Sequence, residues 1–569
     1  MTGFQTQAQT SIDILSAVPA WQELARLNPD LDTKTVSAIL QEAARFAEGE
    51  LAPLNGIADV VGAELADGHV VLPGGFRKAY RDLALQGWIG LDADPELGGQ
   101  GLPLTLHTAT QSLFDRGCTS LMMAAGASRA AAHLLSEHAE TATRREWVPR
   151  LCSGDWAATI CISEPDAGSD VGRIRTWASH TDDGWRVTGE KIWISFGDHD
   201  MCDRIGHCLL ARTNDQPGTR GLSLFLVAST KSDGSANGIT VGRIEEKLGM
   251  HGSPTCALSF EDCEATLIGP EGKGIACLFT MMELMRLQTG TQGLGLALAS
   301  EAIAIDYACE RRQGGHPGQP APAINTHGDV RRQLLDVMSR NAVLHMAVLD
   351  LSANMDLAAL DDGTDRTALK NYAAWMLPMI KTFGAERAFD GASAAIQVLG
   401  GAGYTREWPL EQILRDARVL SIYEGTTGMQ AQDFLMRRLW REDGAGLEAF
   451  RQMCETEMSA WPGDDPELTA LRAGVARFSD LSDQMLDLRQ SAPRLAEFAA
   501  EPYLRAGWCA VSSLMAFRLA NLKIRTDLAA LGRYRLHQLQ AELQFHATRC
   551  DLAALDPDTC FTDSQAIRG

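Results

Sequence analysis

The sequence predicts an α+β multidomain fold: an N-terminal α-helical domain, a middle β domain, a second long helical segment, and an added helical domain at the C-terminus. Three observations predict it. At 569 residues the chain is too long for one ordinary core and long enough for three or four units. Apolar residues recur at helical spacing in its first and last parts. Between them lie short β-branched and aromatic runs bounded by Gly, Pro, Asp and Asn. The segments are placed at 1–157, 158–275, 276–440 and 441–569.

In the first segment Asp32 or Thr33 can cap a helix carrying Val36, Ile39, Leu40, Ala43, Ala44 and Ala47, which Pro53 is expected to end or interrupt. LADGHVVLPGGF reads as Gly-rich and irregular. FRKAYRDLALQGWIGL returns to helical spacing before the loop ADPELGGQGLP, and alanine-rich helix continues to Trp147. WRVTGEKIWIS, GLSLFLVAST, GITVGRIEE and TCALSFEDCEA are the strands of the middle segment. Long helices resume at Leu278 and run to the turn QGGHPGQPAP. From about Arg441 further helical patterns are separated by WPGDDPE and SAPR.

Composition excludes several function classes. A hydrophobic fraction of 45% and a charged fraction of 22% are those of a globular protein. The longest apolar candidate, Ala506 to Phe517, is broken by Ser512 and Ser513 and falls short of the roughly 18 residues a membrane span needs, so no integral membrane association is expected. The start MTGFQTQAQTSIDILSAVPAW has neither the basic nor the apolar region of a secretory signal, and 13 scattered cysteines without a CxxC pair suit a reducing compartment. A cytoplasmic location is the expectation. A net charge of −22 repels phosphate backbones and argues against nucleic acid.

Several residues carry chemistry. Glu424, in SIYEGTTG, sits where a helical pattern stops, a place where glutamates are by default solvated. Ser163 precedes a Pro-bearing turn, where a short hydroxyl with free neighbouring amides can meet a polar ring edge. Trp193 and Ser195 alternate along a strand and should share a face. Arg311 suits bidentate pairing with phosphate or, equally, a solvated helix end. Glu164, Asp166 and Asp170 lack His partners and read as turn formers and caps, while His133, His138 and the Asp198–Asp200 triplet make no metal site. The glycines from Gly400 to Gly403 follow helical sequence and lack GxGxxG spacing, so a Rossmann turn is excluded.

Four segments, CISEPDAGSD (Cys161 to Asp170), GEKIWIS (Gly189 to Ser195), YACERRQ (Tyr307 to Gln313) and QVLGGAGYTREWPLEQILRDARVLSIYEGTTGMQ (Gln397 to Gln430), share an order and spacing that resembles the acyl-CoA dehydrogenase family over residues 30 to 440. That resemblance implies a middle β-barrel or sandwich, a C-terminal four-helix bundle and FAD as cofactor. It implies that Glu424 is the base that removes the α proton of an acyl-CoA thioester while the β hydrogen passes as hydride to flavin N5, giving the trans-2-enoyl-CoA. A desolvated carboxylate is a stronger base, and donors on the thioester oxygen stabilise the developing enolate; by resemblance these are the Glu424 backbone N–H and a ribityl hydroxyl.

The resemblance further assigns Ser163, Trp193, Ser195, Arg311, Gln313, Gln397, Gly401 and Thr426 to the cofactor. Ser169, Arg286 and Gly425 fall to the substrate, and no residue to a metal. Arg311 and Gln313 are expected to reach across a subunit contact, although Gly314 and Gly315 replace the family's usual Phe-Gly. Ser195 stands where Thr is usual and keeps the hydroxyl. FAEGELAPLN and ADPELGGQGLP are similar to the large bacterial subfamily of about 600 residues that includes 3-methylmercaptopropionyl-CoA dehydrogenases. Expected substrates are therefore 3-methylmercaptopropionyl-CoA or a medium- or long-chain acyl-CoA. Electron-transfer flavoprotein is the expected acceptor, and the expected assembly a homo-oligomer, preferably a dimer. Two alternatives stay open: an acyl-CoA oxidase, and a DNA-associated adaptive-response homologue, which the acidic charge disfavours.

Overall fold

Asp32 caps the helix Thr33–Phe46 by accepting the Thr35 N–H at 2.7 Å. Pro53 does interrupt this helical run, through its neighbours: Ala47–Leu51 widens into one π-helical turn, and the helix resumes at Ala52–Val61 with Pro53 in its first turn, where no N–H is needed. The segment read as irregular is a hairpin, Glu64–Ala66 against His69–Val71, closed by Asp67 and Gly68 at φ 51° and 82°. Asp-Gly is the pair that a tight hairpin turn favours, so the signal was present.

The structure, a computed structural model, describes residues 3–461, 463 and 465–551; Pro462 and Asp464 of WPGDDPE, and the 552–569 end of the added domain, lie outside the described residues. The chain forms two compact units. Among the described residues one comprises 3–12, 28–330 and 384–424; the other comprises 13–27, 331–383 and the part from 425 to 551.

In the first unit seven strands form one sheet among the described residues. Five of them close a ring: Arg204–Arg212, Trp177–Thr181, Gly184–Ser195, Thr255–Ile268, Leu222–Ala228 and back to Arg204–Arg212. Trp156–Cys161 adds in parallel to Arg204–Arg212, and Ile239–Ile244 pairs with Thr255–Ile268. Ring closure removes unpaired edges, the usual liability of a sheet. Leu222–Val227 is buried at every position, which is why GLSLFLVAST reads as continuous apolar sequence. Ala130, Leu134 and Leu135 of the helix Leu104–His138 and Leu278 and Met281 of the helix Gly274–Glu310 share one apolar core with Leu210, Leu224 and Ile268 of the barrel. The second helix also passes close to Gly384: a Cβ on Gly293 would lie 2.1 Å from the Gly384 oxygen, so glycine is required there.

The second unit is helical. Trp375, 1% exposed, stacks on Phe450 at 5.2 Å and packs beside Phe434 and Phe478. Phe383 stacks on Trp508 at 4.8 Å. Inside this apolar packing Arg518 donates to Asp350 at 2.6 Å and binds Glu457, while the Tyr372 hydroxyl donates to Asp350 at 2.8 Å. These contacts tie residues 445–550 to Tyr372 and Asp350, so the added helices share a core with the segment before them. Among the described residues the helix Gly328–Ala359, not Ala506 to Phe517, has the length and apolarity that could cross a membrane, but 83% of that window is buried in protein. Trp375→Ala should lower the stability of this unit by about 3–5 kcal/mol, read as an earlier urea midpoint; an unchanged midpoint would show that the aromatic cluster is not its core.

Candidate functional site

The site is built on a buried ion pair. Lys191, fully buried in the strand Gly184–Ser195, donates to the Ile162 carbonyl at 2.9 Å and to Glu164 at 2.8 Å. Glu164 also accepts the Arg175 and Thr176 N–H groups at 2.6 and 3.1 Å. Burial alone would raise its pKa, but the Lys191 ammonium and these donors hold it below the usual carboxylate range. Glu164 does form the expected turn, its N–H donating to the Ala167 carbonyl at 3.0 Å and its carbonyl accepting the Ala167 N–H at 3.1 Å, and its side chain adds what was not expected, a clasp joining the ISEPDAGSD loop to the KIWIS strand. Asp166 pairs with Arg175 at 3.2 Å and Asp170 with Arg173 at 2.7 Å.

Immediately beyond Lys191 the strand bulges. Lys191 pairs with Leu258 and Ile194 with Cys256, so Ile192 and Trp193 together oppose one residue. The Ile192 N–H, released from the ladder, donates to the Ser163 carbonyl at 2.9 Å. Trp193 takes φ 63°, costly for a non-glycine residue by roughly 1–2 kcal/mol, and leaves its indole 58% exposed. Simple alternation therefore does not relate Trp193 to Ser195, which is half-buried and paired with Thr255. What the strand offers is a strained, exposed tryptophan one residue beyond the Ile192–Ser163 hydrogen bond. Ser169 is exposed in the adjoining loop.

Arg311 and Gln313 lie exposed just past the end of the helix Gly274–Glu310; the Arg311 carbonyl accepts the Ile324 N–H at 2.9 Å and the Gln313 N–H donates to Pro322 at 3.0 Å. Tyr307 of the same motif meets Trp408 edge-on at 5.5 Å, which brings that helix end to the Gly400–Tyr404 turn. A Cβ on Gly400 or Gly401 would enter open space, and Gly400 has φ 62°. Gln397 is exposed at the end of the helix Thr367–Leu399.

Glu424 follows the short helical turn Val419–Ser421 and takes φ 56°, a second strained non-glycine position. The segment leading to it is anchored by a charge network that sequence reasoning missed. Arg415 binds Asp59 and Glu411, both at 2.7 Å, and His251 lies 2.9 Å from Asp59. Buried Asp416 accepts the Met250 N–H, and Gln412 donates to the Asn55 carbonyl at 2.9 Å. The one available signal was the alternation of acids and bases in LEQILRDAR, which a surface helix shares. Tyr423, next to Glu424, donates its hydroxyl to Gln292 of the helix Gly274–Glu310, and Gln292 donates to Met123 of the helix Leu104–His138 at 3.2 Å. Arg286 is buried on the same helix as Gln292. Gly425, at φ 90°, and Thr426 belong to the other unit, where Lys381 donates to the Gly425 carbonyl at 2.6 Å and Thr426 caps the helix Thr427–Gln432.

At one end of the barrel an exposed tryptophan with two serine hydroxyls suits a flat, polar-edged ring, and at the separate Gly400–Tyr404 turn bare glycine backbone suits the close approach of a phosphate-bearing group. The comparisons agree with that chemistry. Profiles described as the N-terminal, middle and C-terminal domains of acyl-CoA dehydrogenase match residues 33–155, 159–263 and 272–439. The chain belongs to the acyl-CoA dehydrogenase family, FAD-dependent oxidoreductases that desaturate acyl-CoA thioesters.

Among its relatives, 3-methylmercaptopropionyl-CoA dehydrogenase of Ruegeria pomeroyi is 33% identical over 509 residues, covering 87% of this chain and 86% of that one. The broad-specificity linear acyl-CoA dehydrogenase FadE5 of Mycobacterium tuberculosis is 33% identical over 74% of this chain and 72% of its own. An acyl-CoA dehydrogenase from Bacillus anthracis, solved with FAD, has the same fold at a TM-score of 0.76 and 19% identity, covering 94% of this chain and 90% of that one.

Two outcomes test the site's framework. Glu164→Gln leaves the Lys191 ammonium buried without its countercharge and should cost about 3–5 kcal/mol together with flavin retention, much of the stability returning when Lys191→Met is added. The second concerns Asp115, which is fully buried and accepts from Gln111 at 2.8 Å and Thr119 at 3.4 Å. Burial pushes its carboxyl up to about 8 from 3.8, against those bonds and one from Gln292. A raised pKa stabilises the fold fully below the unfolded value and is lost as pH rises through the folded one. Asp115→Asn, which cannot ionise, should therefore gain on the wild type in melting temperature from about pH 4 to about pH 8. A constant gap across that range would contradict the assignment.

Proposed function

We propose that Glu424 is the base of an acyl-CoA α,β-dehydrogenation. The observation that carries this is its strained backbone at the end of an anchored segment, beside Tyr423 and the buried Gln292. Strain of about 1–3 kcal/mol persists only where the surroundings impose it, and such positions cluster at reacting centres. The Glu424 side chain takes the α proton, and its own N–H holds the thioester oxygen as negative charge develops there. Ser169, Arg286 and Gly425 bind the acyl-CoA arm. Trp193, Ser163 and Ser195 hold the FAD ring, and Gln397, Gly401, Thr426, Arg311 and Gln313 hold its ribityl, phosphate and adenosine parts. Bound FAD supplies the two-electron acceptor for the β hydrogen.

We also infer a homodimer in which exposed Arg311 and Gln313 serve the cofactor of the partner, electron-transfer flavoprotein as acceptor, and a cytoplasmic site of action, which the twelve unpaired thiols among the described residues suit. The sequence likeness to the Ruegeria pomeroyi and Mycobacterium tuberculosis enzymes favours linear acyl chains, with 3-methylmercaptopropionyl-CoA among them.

The test is Glu424→Gln, which should bind FAD and stay yellow while anaerobic bleaching by acyl-CoA slows by about a thousandfold. Bleaching at the wild-type rate would remove Glu424 from the mechanism. Admitting oxygen to the reduced wild-type enzyme separates dehydrogenase from oxidase, since slow reoxidation marks the former.

A further inference from the structure

The helices Leu104–His138 and Gly274–Glu310 meet along a seam that runs past Tyr423. One rung of it is Met123 with Gln292, the pair that Tyr423 touches. On one side of that rung Gly295 lies against Asp115, where a Cβ would fall 3.2 Å from the Asp115 Cβ. On the other side, one helical turn along each helix, Gln288 lies against Gly126. A fatty chain would be expected to run along leucine, valine and phenylalanine. This seam presents Gln288, Gln292, Asp115 and Gln111 instead, all buried.

Gln288 is the odd member. It is 4% exposed, and neither its Nε2 nor its Oε1 meets a hydrogen-bond partner in the protein. Its carboxamide occupies the space a side chain on Gly126 would need, since a Cβ there would lie 1.8 Å from Nε2. Glycine within a helix is disfavoured against alanine, and a buried carboxamide without partners is disfavoured further. The two costs fall at one point, a single turn from the rung that Tyr423 and the proposed base adjoin. Buried polar atoms left unpaired by their own chain are the natural means of selecting a ligand that carries the complementary group.

We propose that Gln288 is a specificity-determining residue whose carboxamide N–H donates to a heteroatom in the acyl chain beyond the β carbon, so that chains bearing an ether oxygen or thioether sulfur are preferred over their all-carbon isosteres. This rests on the reading of Glu424 as the base. Oxygen, the stronger acceptor, is favoured more than sulfur.

The experiment compares a linear acyl-CoA with isosteres in which one methylene beyond the β carbon is replaced, position by position, by oxygen or by sulfur. The readout is the ratio of kcat/KM, heteroatom chain over all-carbon chain, in the wild type and in Gln288→Leu and Gln288→Met. At one position the wild-type ratio should favour the heteroatom by about tenfold, the worth of one neutral hydrogen bond, and both substitutions should bring it to about one or below. A ratio near one at every position in the wild type overturns the proposal, whatever the variants do. So does a ratio that survives both substitutions, as it would if a fixed water were the only partner of the carboxamide. In either case flavin reduction by the all-carbon thioester leaves the dehydrogenase reading standing. Failure of every thioester to reduce wild-type flavin removes that reading and this one together.

Discussion

The arrangement of the candidate site depends on one carboxylate and one ammonium taken out of water together. Glu164 and Lys191 lie 2.8 Å apart, and the remaining capacity of the pair is used by the Ile162 carbonyl and the Arg175 and Thr176 N–H groups. A buried pair of this kind contributes little net stability against an apolar substitute, because desolvation offsets the attraction. What it does contribute is geometry, since neither partner can move without leaving the other uncompensated. The loop bearing Ser163 and the strand bearing Trp193 are thereby held in one register. The bulge at Ile192 can then turn its N–H to Ser163 instead of to the barrel ladder.

A second constraint acts on the segment that carries Glu424. Glu424 adopts a backbone conformation that glycine takes readily and glutamate does not. The adjoining helix Leu410–Arg418 is clamped through Arg415 to Asp59 and through Asp416 to the Met250 N–H. These are charge-assisted bonds in places of low exposure, where they are stronger than on a wet surface. Strain at Glu424 and ionic anchoring just before it are complementary, because an unanchored segment would relax by rotating Glu424 out of that conformation.

Much of this was legible in the sequence, and the reasons differ residue by residue. Helical periodicity before Trp156 and after Ile268 is a property of single residues at fixed spacing, and so is the run of strands between them. Glu424, Trp193 and Ser163 stood out because their motifs resemble a family distributed along the whole chain. Periodicity failed where two residues oppose one, since a bulge leaves no mark in the pattern of KIWIS. The turn at Glu164 was legible but its ion pair was not: its partner is twenty-seven residues away, and an acid in a Pro/Gly turn looks the same with or without a buried lysine against it. The Asp59–Arg415 link spans 356 positions and has no local trace at all.

The helical unit and the polar seam show opposite uses of burial. Around Trp375 aromatic rings fill space with their own kind, and buried Arg518 bonds Asp350 and Glu457 among them. Along the seam beside Tyr423 the packing is polar and the Gln288 carboxamide is left unsatisfied by the chain. A core selected for stability alone would have replaced Gln288 by a smaller apolar residue and, with that space freed, Gly126 by alanine. Retaining an expensive pair one helical turn from the rung that Tyr423 touches is the pattern expected where stability is exchanged for recognition of a ligand.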